Sequence, residues 1–371
     1  MNNLLVFYPA LAPYRIDFFN ALTHSFNANF YFSYSNLKDQ NFDQQHLRSL
    51  CHFEFRLLEN GLEIGSRSIR TGIWKIIRKH KPDIILCSEY SQITLSVLML
   101  RFLFRKKFKV YTISDDSIDL SIKRKGIRKW LRNIVSFYID GVIFPSESVC
   151  DWYHQQVNVT TTLFSLPIVH DNDAFRLKLQ NTLPVANIKR LKYGLQNKKV
   201  FLFVGRLVKI KNIKFLINAF AASLDQMPDA VLVIIGEGEE NEVLHKLAKE
   251  LGVESKCLFL GRLEGDALHG WFNIAHCLVL PSYQEPYGAV VNEALLAGCK
   301  VLCSKLAGAS ELITSYNGAI FDPFNLKELS ELLIMYYHNT IIKPQQLEIR
   351  SDLMPFKLSS KLNSLVENLK F

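Results

Sequence analysis

The chain lacks an apolar run long enough to cross a bilayer. A spanning helix needs about 20 mainly apolar residues. The most apolar stretch, Ile84 to Phe104, is broken by Glu89 and Arg101. No opening segment combines a basic start, an apolar stretch and a small-residue cleavage site, so no secretory signal is expected. The cysteines number seven, an odd count, and they are scattered without a CxxC pair. That argues against a disulfide framework and fits a reduced, cytoplasmic setting. Cys299 and Cys303 stand four apart, yet no histidine or further cysteine lies near enough in sequence to suggest zinc. Both read as small buried apolar residues. Low-complexity tracts and short-period repeats are absent as well.

What is present is a globular composition. Of 371 residues, 49% are apolar and 21% charged, and the length suits two domains. The net charge of +9 is uneven. Residues 1–168 hold 21 Lys and Arg against 14 Asp and Glu, whereas 169–371 hold 23 against 21. The first half is the basic half, which bears on its partners.

The opening "LLVFYPALAPYRIDFFNAL" reads as a strand, a Pro-containing loop, and a helix with Ile16, Phe19 and Leu22 at helical spacing. Strand-like runs recur at "NANFYFSY", "DIILCS", "KVYTIS" and "GVIFPS". After residue 199 the rhythm restarts with "KVFLFVGR", "AVLVIIGEG", "CLFLGRL" and "CLVLPSY", separated by helical segments. Uninterrupted apolar strands alternating with helices imply parallel sheets covered on both faces. The fold expected is therefore α/β, with two Rossmann-like, doubly wound domains. The link between them is expected in 163–188, where prolines and polar residues cluster and periodicity fades. Ligands of such sheets bind beyond the carboxyl ends of the strands. With two domains facing each other, the cleft between them is the expected site.

Three loops carry chemistry. In "FLFVGRLVKIKN", Gly205 permits a tight turn after a strand, and Arg206 and Lys211 follow. Two cations beside a strand-to-helix turn suit an anion such as a diphosphate, although two solvated surface cations would read the same way. In "QEPYGAVVNEALLAG", a helix is expected to start near Gly288, with Glu285 on the loop before it and Glu293 more than a turn later. Gly288 would let a ligand approach the backbone, and the first amides would favour an anion. Ala289, Val290, Val291, Ala294, Leu295 and Leu296 leave little polar face to account for Glu293. In "VIIGEGEENEVL", Gly236 and Gly238 fall short of GxGxxG. A tight turn feeding a helix is the simpler use.

Together, "FVGRLVKIKN", "IIGEGEE", "FLGRL", "LVLPSYQEPYGAVVNEALLAGCKVLCSKLAGASELI" and "NGAIFDP" resemble, in order and register, the retaining glycosyltransferases of family 4, which have the GT-B fold. The resemblance is specific over about 199–325 and looser at "PYRIDFFNAL", "GVIFPSESV" and "LPIVHDNDAF". It implies that Arg206 and Lys211, beside Gly205, grip the donor diphosphate. Glu285 would face the donor sugar, and Gly288, Ala289 and Val290 would approach sugar and phosphate. Glu293 would accept hydrogen bonds from the ribose, and Gly261 and Arg262 would lie by the base. The partners implied are a nucleotide diphosphate sugar and a saccharide or lipid-linked acceptor in cell-surface polysaccharide synthesis. No cofactor and no metal are expected, and Ser114-Asp115-Asp116 is not a DxD motif. The chemistry of these residues fits that role, because fixed cations and amides stabilise the negative charge that builds on the leaving diphosphate.

The first half departs from the pattern. Its first loop, "YPALAPYR", has no glycine-rich turn, and Ser-Asp-Asp stands where many members carry a histidine. Asp115 or Asp116 would take or orient the acceptor's proton, or else serve as a helix-start or turn acid. Tyr14 and Arg15 are the other acceptor-side candidates. A non-catalytic nucleotide-sugar-binding or membrane-binding protein, or an epimerase or hydrolase on the same fold, remain alternative readings. The basic stretches 101–109 and 122–135 suit an anionic membrane surface from the cytoplasmic side. In the second, Ile127, Trp130, Leu131, Ile134 and Val135 share a helical face, which an ordinary helix would turn into the core. No aromatic-interleaved basic motif supports nucleic-acid binding. The expected domains are 1–168 and 169–351, with a terminal helix at about 352–371 returning to the first.

Overall fold

The computed structural model of the protein describes residues 1–36, 42–64, 67–157, 161–340 and 347–370. The chain forms two compact units. One comprises Met1–Ile168 together with Leu358–Phe371, and the other Val169–Lys357. Phe371, at the end of the expected terminal helix, lies outside the described residues, as do 341–346 of the expected second domain.

The first unit is built on strands β1 (Asn3–Tyr8), β2 (Asn27–Phe32), β3 (Phe55–Leu57), β4 (Gly61–Ile64), β5 (Arg67–Arg70), β6 (Ile84–Ser88), β7 (Lys109–Ile113), β8 (Gly141–Phe144) and β9 (Thr162–Ser165). Seven of them form a parallel sheet in the order β3-β2-β1-β6-β7-β8-β9, and β4 and β5 pair separately as an antiparallel hairpin. The central strands are apolar throughout: every residue of β6 and β8 is buried. Helices cover both faces, as a parallel sheet requires. Leu5, Phe7, Ile85, Val110, Val142 and Phe144 anchor one core cluster.

The second unit carries β10 (Lys199–Val204), β11 (Ala230–Ile235), β12 (Cys257–Phe259), β13 (Cys277–Leu280), β14 (Lys300–Ser304) and β15 (Gly318–Phe321). They form one parallel sheet in the order β12-β11-β10-β13-β14-β15. Phe203, Leu216, Phe220, Leu232, Val279 and Leu302 lie in its core.

Each sheet reverses its strand order once, between β1 and β6 in the first unit and between β10 and β13 in the second. Such switch points leave a crevice at the carboxyl ends of the strands, so the residues just after these four strands are where a ligand is sought.

The segment 163–188, in which the link is expected, holds regular structure. It contains all but the first residue of β9, the helix Asn172–Asn181 and the start of the helix Leu183–Lys192. Asp171 caps the first of these by accepting from the Ala174 N–H (2.8 Å). Pro184 sits in the first turn of the second, where its missing N–H is no loss. All seven cysteines are free thiols, Cys299 and Cys303 buried among them. Among the described residues no helix is long and apolar enough to cross a membrane.

Candidate functional site

At the switch point of the second unit, three strand-end loops are laced together. The Gly205 N–H donates to the Ile235 carbonyl (3.0 Å), the Leu207 N–H to Glu237 (2.8 Å) and the Gly236 N–H to Gly261 (2.8 Å). Gly236 and Gly238 serve this contact: a Cβ at either would overlap backbone of the Gly205–Leu207 loop. Arg206 projects from the loop, exposed and without an acid partner among the described residues.

Lys211 ends a short 3₁₀ turn, Lys209–Lys211, ahead of the helix Ile213–Ser223. The next residue, Asn212, takes a left-handed backbone (φ 57°), which asparagine tolerates better than most residues. Its side-chain amide donates to the carbonyls of Pro281 (3.2 Å) and Pro323 (2.9 Å). The loop after β10 is thereby pinned to the loop after β13, and the Tyr283 N–H donates to Ile210 (3.1 Å). This brings the Lys211 ammonium onto the Glu285 carboxylate. The Ser282 hydroxyl reaches the same oxygen at 3.4 Å.

Gly288 has φ 97°, and a Cβ there would lie 2.7 Å from Leu280 Cδ2 and 3.3 Å from Glu285 Cγ. Glycine is needed for the loop to fold over Glu285. The helix begins at Val290, two residues after Gly288, and Glu293 lies in its first turn rather than more than a turn along. Ala289 and Val290 head the helix, where the first N–H groups have no intrahelical acceptor. Glu293 is partly buried and its Oε1 lies 3.2 Å from His170 Nε2. His170 is held in turn by its N–H bond to Asn292 Oδ1 (2.8 Å) and by stacking on Phe175 (4.8 Å). Gly261 turns at φ 67°, and the exposed Arg262 bonds Glu264 (2.9 Å).

The switch point of the first unit carries a second polar cluster. Tyr8 ends β1, Glu89 follows β6, Ser114, Asp115 and Asp116 follow β7, and Tyr14 and Arg15 open the helix Pro13–Ser25. Arg15 is buried, pairs with Asp115 and donates through Nε to the Tyr8 hydroxyl (3.2 Å). Burial, the largest influence, would lower the guanidinium pKa, but Asp115 together with the Tyr8 and Tyr14 hydroxyls outweighs it and the value is raised. Burial, then Asp115, push the Tyr14 hydroxyl up to about 12.

Asp115 and Asp116 separate here. Asp115 keeps a half-exposed side chain beside Arg15. The Asp116 carboxylate is enclosed, taking hydrogen bonds from Ser121 Oγ (2.6 Å), Tyr153 OH (2.6 Å) and the Ser117 N–H (3.1 Å), with Arg124 at 3.3 Å.

Glu89 was not singled out as a site residue from sequence. Its carboxylate accepts from the Ser114 hydroxyl (2.9 Å) and the Asp115 N–H (2.8 Å). Its carbonyl accepts from Thr94 (2.8 Å) and Thr112 (2.9 Å). Burial, then the neighbouring Asp115 charge, raise its pKa to about 7. The available signal was an acid closing the apolar strand "DIILCSE". His170 likewise had no role read from sequence.

Among the described residues no group of three or more His, Cys, Asp or Glu side chains is placed to hold a metal ion. Two open surface cavities, of about 460 and 320 Å³, are lined by residues of neither cluster, the larger by Leu183, Asn187 and Arg190 and the smaller by Tyr31, Arg56 and Lys75.

Residues 186–351 match the family model described as glycosyl transferases group 1. A stretch of 125 residues is 41% identical to an uncharacterized glycosyltransferase of Methanocaldococcus jannaschii, covering 33% of this chain and 32% of that protein. Another, of 116 residues, is 34% identical to the D-inositol 3-phosphate glycosyltransferase of Corynebacterium aurimucosum, covering 30% and 28%. The chain thus spans about a third of the length of the curated relatives it matches. Among solved structures, HepE of Anabaena in complex with UDP superposes with a TM-score of 0.77 at 18% identity, over 99% of both chains. The same protein is also solved with UDP-glucose. The fold is GT-B, with two parallel-sheet, Rossmann-like domains of seven and six strands.

Proposed function

We propose that the protein is a retaining, metal-independent glycosyltransferase of the family 4 type. It moves a sugar from a nucleotide diphosphate sugar to a hydroxyl of a saccharide, free or lipid-linked, in the cytoplasmic assembly of a surface polysaccharide. The observation that carries this reading is the cluster of Arg206, Lys211 and Glu285 at the switch point of the sheet, inside the segment that matches the glycosyltransferase family. The UDP and UDP-glucose bound by HepE support a UDP-sugar as donor.

In the reaction the bond from the anomeric carbon to the diphosphate breaks. The diphosphate leaves with the electron pair, the acceptor oxygen bonds to the carbon, and the proton of the acceptor hydroxyl passes to the Asp115 carboxylate. Negative charge builds on the leaving group, where Arg206, Lys211 and the amides of Ala289 and Val290 supply fixed positive charge. Glu285, already held by Lys211 and Ser282, faces the sugar and offsets the positive charge developing at its anomeric carbon. Glu293, fixed by His170, takes the ribose hydroxyls, and Gly261 and Arg262 lie by the base. On the acceptor side, the half-exposed Asp115 and the neighbouring Glu89 are the acids that orient the incoming hydroxyl, with Tyr14 and Arg15 beside them. The enclosure of Asp116 supports a scaffolding part for that residue.

The test is a thermal-shift and calorimetric screen with UDP, GDP and their sugars, since a ligand of the folded state raises the melting temperature by linkage. UDP should raise it. Arg206→Ala should weaken UDP binding about 10–100-fold, the loss of a charge-assisted hydrogen bond. Unchanged binding by that variant would overturn the scheme. Transfer should survive EDTA, and its loss would remove the metal-free part alone. Free sugar or isomerised donor released without acceptor would mark a hydrolase or an epimerase instead.

A further inference from the structure

The helix Gly126–Tyr138 is amphipathic, but it sits the other way round from an ordinary core helix. Its buried residues are Arg132, Val135 and Ser136. Arg132 is accommodated inward because its guanidinium donates to the Ser121 carbonyl (3.1 Å) and lies over the Trp152 and Tyr153 rings (5.7 and 5.5 Å). The opposite face carries Ile127, Trp130 and Phe137, with 72%, 60% and 63% of their surfaces exposed. Their spacing of three and seven places them in one row. Of the stripe that sequence offered for the core, Val135 is buried, whereas Ile127 and Trp130 point to solvent.

A second element lies beside the carboxyl end of this helix. The helix Gln92–Leu103 ends in Phe102, which is 83% exposed, and Leu103. Arg101, just before them, bonds the Tyr138 carbonyl and Asp140, which sets the carboxyl ends of the two helices side by side. Around these apolar residues Arg105, Lys106, Lys107, Lys125, Arg128 and Lys129 are exposed, with no acid partner among the described residues. The nearby acids Asp119 and Asp140 are taken up by Lys123 and Arg101. Single exposed apolar residues are ordinary. A cluster of exposed aromatics bordered by cations that lack an acid partner is the composition of an interfacial helix.

We propose that this face docks on an anionic lipid bilayer. Ile127, Trp130, Phe137 and Phe102 enter the boundary between headgroups and acyl chains, and the surrounding cations meet lipid phosphates. Charge complementarity selects this occupant: six exposed cations without an acid partner among the described residues favour an anionic surface and disfavour a second copy of the same face. The inference extends the lipid-linked part of the acceptor reading, yet it does not depend on glycosyl transfer.

The test is co-sedimentation of the full chain with vesicles of phosphatidylcholine mixed with phosphatidylglycerol, and with phosphatidylcholine alone, at low and high salt. Binding to the mixed vesicles is expected, about tenfold or more tighter than to the neutral ones, and weaker in high salt. Trp130→Glu and Phe102→Glu, at exposed positions, should each cut binding about tenfold while leaving the melting temperature unchanged. Absent binding, equal binding to both vesicle types, or wild-type binding by both variants would overturn the proposal. So would self-association that Trp130→Glu abolishes, since the face would then be a contact between copies. UDP-induced stabilisation, read on the same samples, separates failure of this inference from failure of the enzymatic reading.

Discussion

Glu89 holds a left-handed backbone, with φ 55°. A non-glycine residue keeps that conformation when its surroundings over-determine it. Here the two threonine hydroxyls on its carbonyl and the two donors on its carboxylate do so. Its folded pKa of about 7 lies above the usual 4.5, first through burial and then through Asp115. Between those values the folded chain holds a proton that the unfolded chain has released. Stability contributed by this group therefore falls as pH rises through the window, and the whole penalty is present above about 7. Glu89→Gln cannot ionise, so relative to wild type it should be more stable at pH 8 than at pH 5, by on the order of 2–3 kcal/mol. Denaturant unfolding at the two pH values reads this directly, and an equal difference at both would remove the assignment. Lys211 and Glu285 were legible in the sequence because a cation and an acid each followed an apolar strand into a loop. Glu89 stands in the same kind of place, but it read as an interruption of an apolar run. Its neighbours Ser114 and Asp115 come from a strand 25 residues away, and periodicity carries no information about which strands pair. His170 was hidden for the same reason: its partner Glu293 lies 123 positions further along.

At the scale of elements, the loops after β10, β11 and β12 act as one piece. Gly236 lets the loop after β11 rest on the Gly205 carbonyl, whereas Gly252 has φ 70° and open space around it. Gly252→Ala should cost about 1 kcal/mol, the penalty of a left-handed backbone alone. Gly236→Ala adds a clash with backbone that is itself hydrogen-bonded, and should cost about 3 kcal/mol. It should also weaken UDP binding, because Arg206 is carried on the displaced loop. Thermal unfolding and calorimetry of the two variants check both points, and equal costs would mean that the loops move independently. The long buried strands were legible, since β6, β8, β10 and β11 are continuous apolar runs. The three residues of β3 were too few for a pattern, and β9 and the helix after it were masked by the prolines and polar residues around them. The helix Gly126–Tyr138 shows a different limit. Helical spacing reveals a stripe but not which way it faces, and the buried Arg132 network decides that.

At the scale of the whole molecule, the chain leaves its first unit at Ile168, builds the second, and returns at Leu358. The helix Leu358–Lys370 buries Leu358, Leu362, Leu365, Val366 and Leu369 and packs against the helix Pro13–Ser25. Lys361 reaches Glu147 at 3.2 Å. Five buried aliphatic side chains contribute roughly 1.5–3 kcal/mol each, an upper estimate because unfolded chains already bury part of that surface. Their sum is comparable with the roughly 5–15 kcal/mol that holds a domain together. A chain ending at Lys357 should therefore lose its first unit, although every residue removed follows the second unit in sequence. Hydrogen exchange should show faster exchange in β1, β2 and the helix Pro13–Ser25, while β10 and β11 keep their protection and UDP still stabilises the second unit. If protection fell in β10 and β11 and not in β1, the terminal helix would belong to the unit it follows. Unchanged protection throughout would show that its five buried side chains contribute little to either.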